Sequence, residues 1–498
     1  MEENKINKKR NYAIGIIVLF LIVAISFFLR FWRLRDYIMF LGDQGRDVLV
    51  VKKILLDGKF TLLGPVASVG GFYLGPLYYY LIAPFLLLFN FDPIGPAFFV
   101  AGVTSLTPFL LFFYLKTRYS TKIALLASFL FAVSPTLVRS SRYSWNPNLV
   151  PLFSFLFYVF FENFLETKKI KYGILTGILL GCLFQLHYLA FVFIPVTILM
   201  LAVNAKSIKN FIVSTAAIIF GVILGWLPFI IYEFRHSWQN FSGLIEFISR
   251  SDGTNVGFDS TRYLKTIYTN FKEIFFYLFN LPQAAIIILF IVFLLYFWQK
   301  RKSILVQFVA LSLLILSLYK GRMGEHYFNI LYVFFLIVFA DFFSLLLKKS
   351  MVFLGVSGII FLSYFCVMAY PFWKEPNRQL DQTIEISRYV LAKYAKNKPF
   401  NFALITSTNS DFAYRYFFDL WGNPPKEILN DVIDPKRESV TKKLIVLCEP
   451  LAPCVDPRGH SLWEIAAFGR AEIARKENHG VYTIYEMERT DIIGKAKK

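Results

Sequence analysis

The chain has 498 residues, of which 56% are hydrophobic and 19% aromatic. Most of that apolar content lies in runs of helix-spanning length, which excludes a soluble enzyme and reads as a polytopic α-helical membrane protein. The formal net charge of +20 sits largely in short turns between apolar runs, where orientation and lipid headgroups account for it, so nucleic acid is set aside as a partner.

Tyr12 to Leu29 is too long for the apolar part of a signal peptide and lacks a small-residue cleavage site. Spanning runs fall near 12–31, 94–115, 121–139, 147–165, 172–186, 189–203, 210–231, 276–298, 303–319, 327–345 and 351–371, about eleven in all. The first run is flanked by basic residues on both sides. Later short turns carry Lys116, Arg118, Lys122, Lys168, Lys169, Lys171, Lys206, Lys209, Lys300, Arg301, Lys302, Lys348 and Lys349. Strict alternation puts all of them on the side of the N-terminus, which is therefore expected to be cytoplasmic in a plasma-membrane protein, with the C-terminal region external.

After the first run comes Phe40-Leu41-Gly42-Asp43-Gln44-Gly45-Arg46-Asp47. Gly42 and Gly45 bracket Asp43-Gln44 as a tight turn requires, and residues 47–56 continue at helical spacing. The reading is an acid held in a turn at the head of an interfacial helix; a solvated flank is the plainer alternative. Ser68 to Pro76 is a glycine-rich loop. Leu77 to Asn90 is about fourteen residues with Pro84 inside, which reads as a juxtamembrane or re-entrant helix, with a short crossing as the alternative. His187 falls in an external turn at Gln185–Tyr188, as an interfacial hydrogen-bonder or as part of a site. Glu162 and Asp341 sit at cytoplasmic helix ends, where solvation explains them. Residues 232–275 read as a polar external loop, long enough for a lid.

Past Trp373 the composition turns soluble. A helix over 382–396, a strand over 402–405, a helix over 411–420 and strands over 444–447 and 481–485 suggest a small α/β domain. The expected division is therefore a transmembrane domain over 1–372, whose external loop 32–93 carries juxtamembrane helices, and a soluble external domain over 373–498. The four cysteines show no metal-ligand spacing. Cys448 and Cys454 are expected to pair in the external domain; two thiols packed in its core are the alternative.

Parity gathers Asp43, Arg46, Asp47, Arg139, Arg142, Asn146, Asn148, His187, Lys320, Arg322, Glu325 and His326 at the outer face, with Tyr78, Tyr79, Trp145 and Tyr327 as aromatic neighbours. Acid, cation and aromatic groups at one membrane level suit a substrate with a lipid tail, a phosphate and a sugar; an ordinary aromatic and basic belt is the plain alternative.

The segments Gly42–Arg46, Gly75–Tyr80, Arg142–Pro147, Lys320–Arg322 and His326-Tyr327 resemble, in order, the motifs of the C-type integral-membrane glycosyltransferases. Among these the dolichyl-phosphate-mannose protein mannosyltransferases and the aminoarabinose lipid A transferases are the nearest in pattern, over roughly residues 10–370. The resemblance implies that Asp43 acts near the acceptor. It also implies an acidic residue after Asp43 and another before a proline in the next external loop, where this chain has Gln44 and Asn146. A divalent metal remains open at Asp43 and Asp47, and no other cofactor is expected.

The chemistry agrees with that resemblance. Moving a sugar from a polyprenyl-phosphate donor to an acceptor hydroxyl needs a base, for which Asp43 is the candidate. It also needs charge neutralisation at the leaving phosphate, for which Arg46, Lys320 and Arg322 are candidates. One base with direct displacement inverts the anomeric carbon. Asp47, Tyr78, Tyr79, Arg142, Asn146, His187, His326 and Tyr327 complete the candidate substrate-binding set, with membrane lipids as further partners and the acceptor open. A transporter or flippase of a lipid-linked sugar, and a membrane scaffold, are the competing classes. Both are disfavoured by polar groups gathered at one face without a hydropathy repeat.

Overall fold

The computed structural model describes residues 2–67, 71–249, 259–319, 321, 323–347, 351–396, 398–407, 409–450, 452 and 454–490. Lys320, Arg322, Lys348, Lys349 and Ser68–Gly70 of the glycine-rich loop lie outside them. The chain divides into two compact units. Met1–Leu34, Lys59–Leu88 and Ile94–Pro376 form the first; Arg35–Gly58, Phe89–Pro93 and Asn377–Lys498 form the second.

The first unit is helical. Among the described residues, Tyr12–Phe31, Ile94–Arg118, Asn146–Thr167 and Ile208–Gly225 are long and apolar enough to cross a membrane, and seven further apolar helices are shorter. The expected single run over 276–298 is instead a pair, Ser260–Phe279 and Gln283–Gln299, bent by 119°. Pro282 explains the break, because its missing N–H and its restriction of Leu281 both stop helix propagation. The expected lid over 232–275 is also largely helical, with helices Gln239–Ser249 and Ser260–Phe279. The second buries Phe271, Ile274, Phe275 and Leu278 on one face, a period hidden by the polar composition of its other face. Leu77–Leu88 is a helix of 12 residues, about 18 Å at 1.5 Å per residue and too short to span.

Two helices meet through glycines that sequence reading passed over. On Ile170–Leu186, Gly173, Gly177 and Gly181 recur every fourth residue; on Ile208–Gly225, Gly221 and Gly225 do the same. A Cβ on Gly177 would lie 2.0 Å from the Ile218 carbonyl oxygen, and one on Gly221 2.1 Å from that of Ile174. In a bilayer, where burying apolar area gains nothing over lipid, such close backbone approach is what holds helices together.

Two arginines are buried: Arg30, at the end of the first apolar run, and Arg142, which was expected to bind substrate at the outer face. Arg30, fully buried, donates to the Ser26 hydroxyl at 3.0 Å and to the carbonyls of Ala132 and Phe131 at 3.0 and 3.3 Å. Those carbonyls end the Thr121–Val133 helix. Arg142, 2% exposed, donates to the carbonyls of Leu29, Arg30, Trp32 and Arg33 at 2.9, 3.0, 2.7 and 3.3 Å, closing the first helix. Arg30 thus satisfies orphan carbonyls of the Thr121–Val133 helix, and Arg142 those of the helix that carries Arg30.

Glu162 and Asp341 are not solvated ends. Glu162, 6% exposed, accepts from the hydroxyls of Tyr114 and, at 2.8 Å, Tyr158, with Arg118 3.5 Å away. Asp341 accepts from the Tyr296 hydroxyl and lies 3.6 Å from Lys300.

The second unit is built on a four-stranded sheet, β1 Asn401–Ile405, β2 Lys443–Cys448, β3 Ala471–His479 and β4 Tyr482–Arg489, in the order β1-β2-β4-β3. β1 and β2 run parallel; the other pairs are antiparallel. Phe402, Leu404, Ile445 and Leu447 face one apolar cluster with Ile386, Val390, Tyr414 and Phe418. Ala403, Leu444, Val446 and Cys448 face another with Ile465 and Phe468. Burial on both faces is why β1 and β2 read as unbroken apolar runs. Strand β3 was missed, because as a charged edge strand it carries no apolar alternation. Cys448 and Cys454 form a disulfide with Cα atoms 6.1 Å apart.

Candidate active site

The Asp43 segment belongs to the second unit, and the turn expected at Asp43-Gln44 is instead the first turn of a helix, Gly42–Asp57. Gln44 turns back to accept the Leu41 N–H at 2.9 Å, satisfying one donor at the helix start. The two glycines serve proximity rather than a turn. A Cβ on Gly42 would stand 1.7 Å from the Ser410 hydroxyl oxygen, and one on Gly45 2.3 Å from the Ala413 nitrogen. The helix therefore rests its opening turn against the start of the Phe412–Leu420 helix.

That contact is fastened by a polar network sequence reasoning did not find. Asn409 Oδ1 accepts the N–H groups of Gly42 and Ser410, both at 2.8 Å. Its Nδ2 donates to Glu449 at 2.9 Å, and Glu449 also accepts from the hydroxyls of Tyr414 and Thr406 at 2.8 and 2.6 Å. Lys52 pairs with Asp419 at 2.6 Å further along the same helix. An asparagine in a loop has no sequence signature for such a role.

On the helix, Arg46 donates to Asp43 Oδ1 at 2.9 Å and to Asp47 Oδ1 at 2.8 Å. Asp47 is fully buried, the Arg46 side chain is 16% exposed, and the Asp43 side chain is 46% exposed. Of the three, Asp43 is the group open to an incoming substrate. The two carboxylates share one fixed guanidinium, which puts positive charge where a divalent ion would need to sit. Among the described residues no three His, Cys, Asp or Glu side chains gather as ligands. These acids do not fit a metal as they stand.

In the first unit, rings from separate segments converge. His326 lies 4.6 Å from Trp145, 5.6 Å from His187 and 4.4 Å from Tyr327, and His187 lies 5.4 Å from Tyr327 between ring centres. His187 stands in the turn after the Ile170–Leu186 helix, where its Nδ1 accepts the Leu189 N–H at 3.1 Å. The neutral ring then carries its proton on Nε2. Burial first, and His326 second, push His187 down to about 3, so it is a neutral donor at physiological pH and no cation. Arg139 pairs with Glu325 beside this cluster.

The remaining candidates have internal partners. Tyr78 and Tyr79 are buried, and the Tyr78 hydroxyl meets that of Ser144 at 2.6 Å. Asn146, 4% exposed, donates to the Leu186 carbonyl at 2.7 Å, and Asn148 donates to that of Tyr143 at 3.0 Å. Arg142 closes the first helix as described. Gln185, passed over in sequence, accepts the Leu77 N–H at 3.1 Å and donates to the Gly225 carbonyl at 2.6 Å.

The overall fold matches ArnT from Cupriavidus metallidurans, solved bound to undecaprenyl phosphate, with a TM-score of 0.64 at 9% identity over 97% of this chain and 98% of that one. The fold is ArnT-like. The apo state of the same ArnT matches with a TM-score of 0.60 at 8% identity and the same coverage. The Archaeoglobus fulgidus oligosaccharyltransferase, solved with Zn and sulfate, matches at 0.50 and 13% identity over 86% of this chain and 67% of that one. Residues 74–232 match the family model described as dolichyl-phosphate-mannose-protein mannosyltransferase. That stretch holds Tyr78, Tyr79, Arg142, Asn146 and His187, while Asp43 and Lys320–Tyr327 lie outside it. No curated protein matches the chain in sequence.

Proposed function

We propose that this chain moves a sugar from a polyprenyl-phosphate donor to an acceptor hydroxyl at the outer membrane face, with inversion at the anomeric carbon. The observation that carries the reading is the fold, similar over nearly its whole length to a protein solved with a polyprenyl phosphate; the match of residues 74–232 supports it. In this reading about eleven apolar helices cross the bilayer with the N-terminus inside. The second unit is then external, where its disulfide is stable.

The acceptor oxygen attacks the anomeric carbon as the bond from that carbon to the phosphate oxygen breaks, the electron pair leaving on the phosphate. Asp43 takes the acceptor proton, and Arg46 orients its carboxylate. The leaving phosphate is a stable anion that needs neutralisation rather than a proton. Lys320 and Arg322 are assigned that role from sequence, and His187, His326 and Tyr327 supply ring surface for a sugar, with His187 a neutral donor.

The test is incubation of the purified protein with polyprenyl-phosphate mannose or aminoarabinose and a panel of hydroxyl acceptors. Release of polyprenyl phosphate is followed, and the anomeric configuration of the product is read by NMR. Release with retained configuration would overturn the direct displacement. Passage of the intact donor across a vesicle membrane without release would favour a flippase.

A further inference from the structure

At the lysine-rich end of the first unit, two short turns bring three ammonium groups to one small cavity. Lys168 follows the Val150–Thr167 helix, and Lys206 and Lys209 flank the start of Ile208–Gly225. The cavity measures about 270 Å3, with Lys168, Lys206, Lys209 and Asn210 on its polar wall and Leu201 and Val213 on its apolar wall. None of the three lysines has an ion-pair partner among the described residues. Lys168 donates to the Asn204 carbonyl at 3.2 Å, which holds its ammonium toward Lys206. It also occupies a left-handed backbone position, φ 56°, where glycine or asparagine is the usual residue.

Like charges gathered at one cavity with no ion-pair partner among the described residues cost free energy that an anion would return. Consistent with that crowding, burial first and the Lys206 ammonium second lower the Lys168 pKa below the ordinary lysine range.

The surroundings of the cavity select the kind of anion. Val213, Phe220 and Leu224 are exposed along one face of a helix long and apolar enough to span, and their spacing makes a stripe. The stripe begins at Val213, which lines the lysine cavity. A free phosphate would use the lysines and leave the stripe idle, whereas a lipid uses both.

We propose that this cavity binds the phosphate-bearing headgroup of an anionic phospholipid, with its acyl chains along the stripe of Val213, Phe220 and Leu224 on Ile208–Gly225. The juxtaposition of a basic pocket at the headgroup level and an unpartnered apolar helix face at acyl depth carries the inference. It is independent of the transfer chemistry, because no residue in it belongs to the candidate active site.

The test uses the full chain, purified in detergent and stripped of lipid, titrated with dioctanoyl phosphatidylglycerol, dioctanoyl phosphatidylcholine and inorganic phosphate. Phosphatidylglycerol is expected to bind about tenfold more tightly than phosphatidylcholine. The triple variant Lys168→Gln, Lys206→Gln, Lys209→Gln should lose that preference, and the corresponding triple arginine variant should keep it. Should the glutamine variant not fold, Lys206→Gln with Lys209→Gln, both at exposed positions, should lower the preference severalfold. Equal binding of the two lipids by the wild type, or an undiminished preference in the glutamine variants, overturns the proposal. So does inorganic phosphate binding as tightly as phosphatidylglycerol and displacing it, which would make this a free-phosphate site.

Discussion

Asp43 and Arg46 form a pair whose acid is half exposed and whose guanidinium is mostly covered. An ion pair of that exposure is worth at most about 1 kcal/mol. Asp43→Asn is therefore expected to leave the melting temperature nearly unchanged while abolishing sugar transfer, because the amide is not a base. Transfer near the wild-type rate would take the proton away from Asp43. Asn409 is the opposite case, far from any chemistry of its own yet bonded to the Gly42 N–H. Asn409→Ala removes that acceptor and one donor to Glu449, which keeps the hydroxyls of Tyr414 and Thr406, and should destabilise by about 1–3 kcal/mol. Transfer should fall together with the loss of rigidity at the helix start, read as slower turnover and faster hydrogen exchange at Gly42. Glu477 offers a pH test in the second unit. Its carboxylate accepts from Lys393 at 2.6 Å, from the Tyr389 hydroxyl and from the Tyr394 hydroxyl at 2.7 Å, and these donors hold it at about 2, below its ordinary 4.5. Since the folded value is the lower one, this contribution is fully present above about pH 4.5 and lost as pH falls toward about 2. Thermal unfolding between about pH 6 and about pH 3 should slope less steeply in Glu477→Gln than in the wild type.

At the scale of elements, glycines decide two packings, and the same residue type gives opposite predictions by what its missing Cβ would meet. Gly45→Ala adds a methyl 2.3 Å from the Ala413 backbone nitrogen. The helical preference for alanine, about 1 kcal/mol, is overcome by a clash that backbone atoms cannot yield to. The expected net cost is about 1–3 kcal/mol, with transfer reduced as the Gly42–Asp57 helix is pushed off its seat. Gly102 stands in the Ile94–Arg118 helix with nothing within 4 Å of its built Cβ. Gly102→Ala should be neutral or stabilising by up to about 1 kcal/mol. A lower melting temperature for Gly102→Ala than for Gly45→Ala would refute the packing account. Neither glycine could be read this way in sequence, where Gly42 and Gly45 look like punctuation for a turn. Only the atoms opposite a glycine say whether it is there for its φ or for its smallness. The same limit explains the bent pair at Pro282, legible as a proline, and the amphipathic Ser260–Phe279 helix, hidden by its polar face.

For the whole molecule, the four cysteines give a direct check. With Cys448 and Cys454 bonded and Cys182 and Cys366 free, thiol labelling of the unreduced, unfolded protein should find two reactive groups, and four after reduction. Four before reduction would remove the disulfide and, with it, one support for an external second unit. The sequence by itself determined the membrane class, the placement of most apolar helices, three strands of the C-terminal sheet and the motif order that resembles a glycosyltransferase. These rest on composition, on hydrophobic period and on local motifs, all of which are short-range properties of a chain. Tertiary structure alone decided which residues share a unit. The Asp43 segment joins the C-terminal sheet domain across more than 300 residues of intervening chain, Arg30 and Arg142 close helices instead of lining a surface, and Asn409 holds the start of the candidate catalytic helix. Each depends on one backbone group meeting one distant side chain, and such a meeting leaves no period or spacing in a single sequence to announce it.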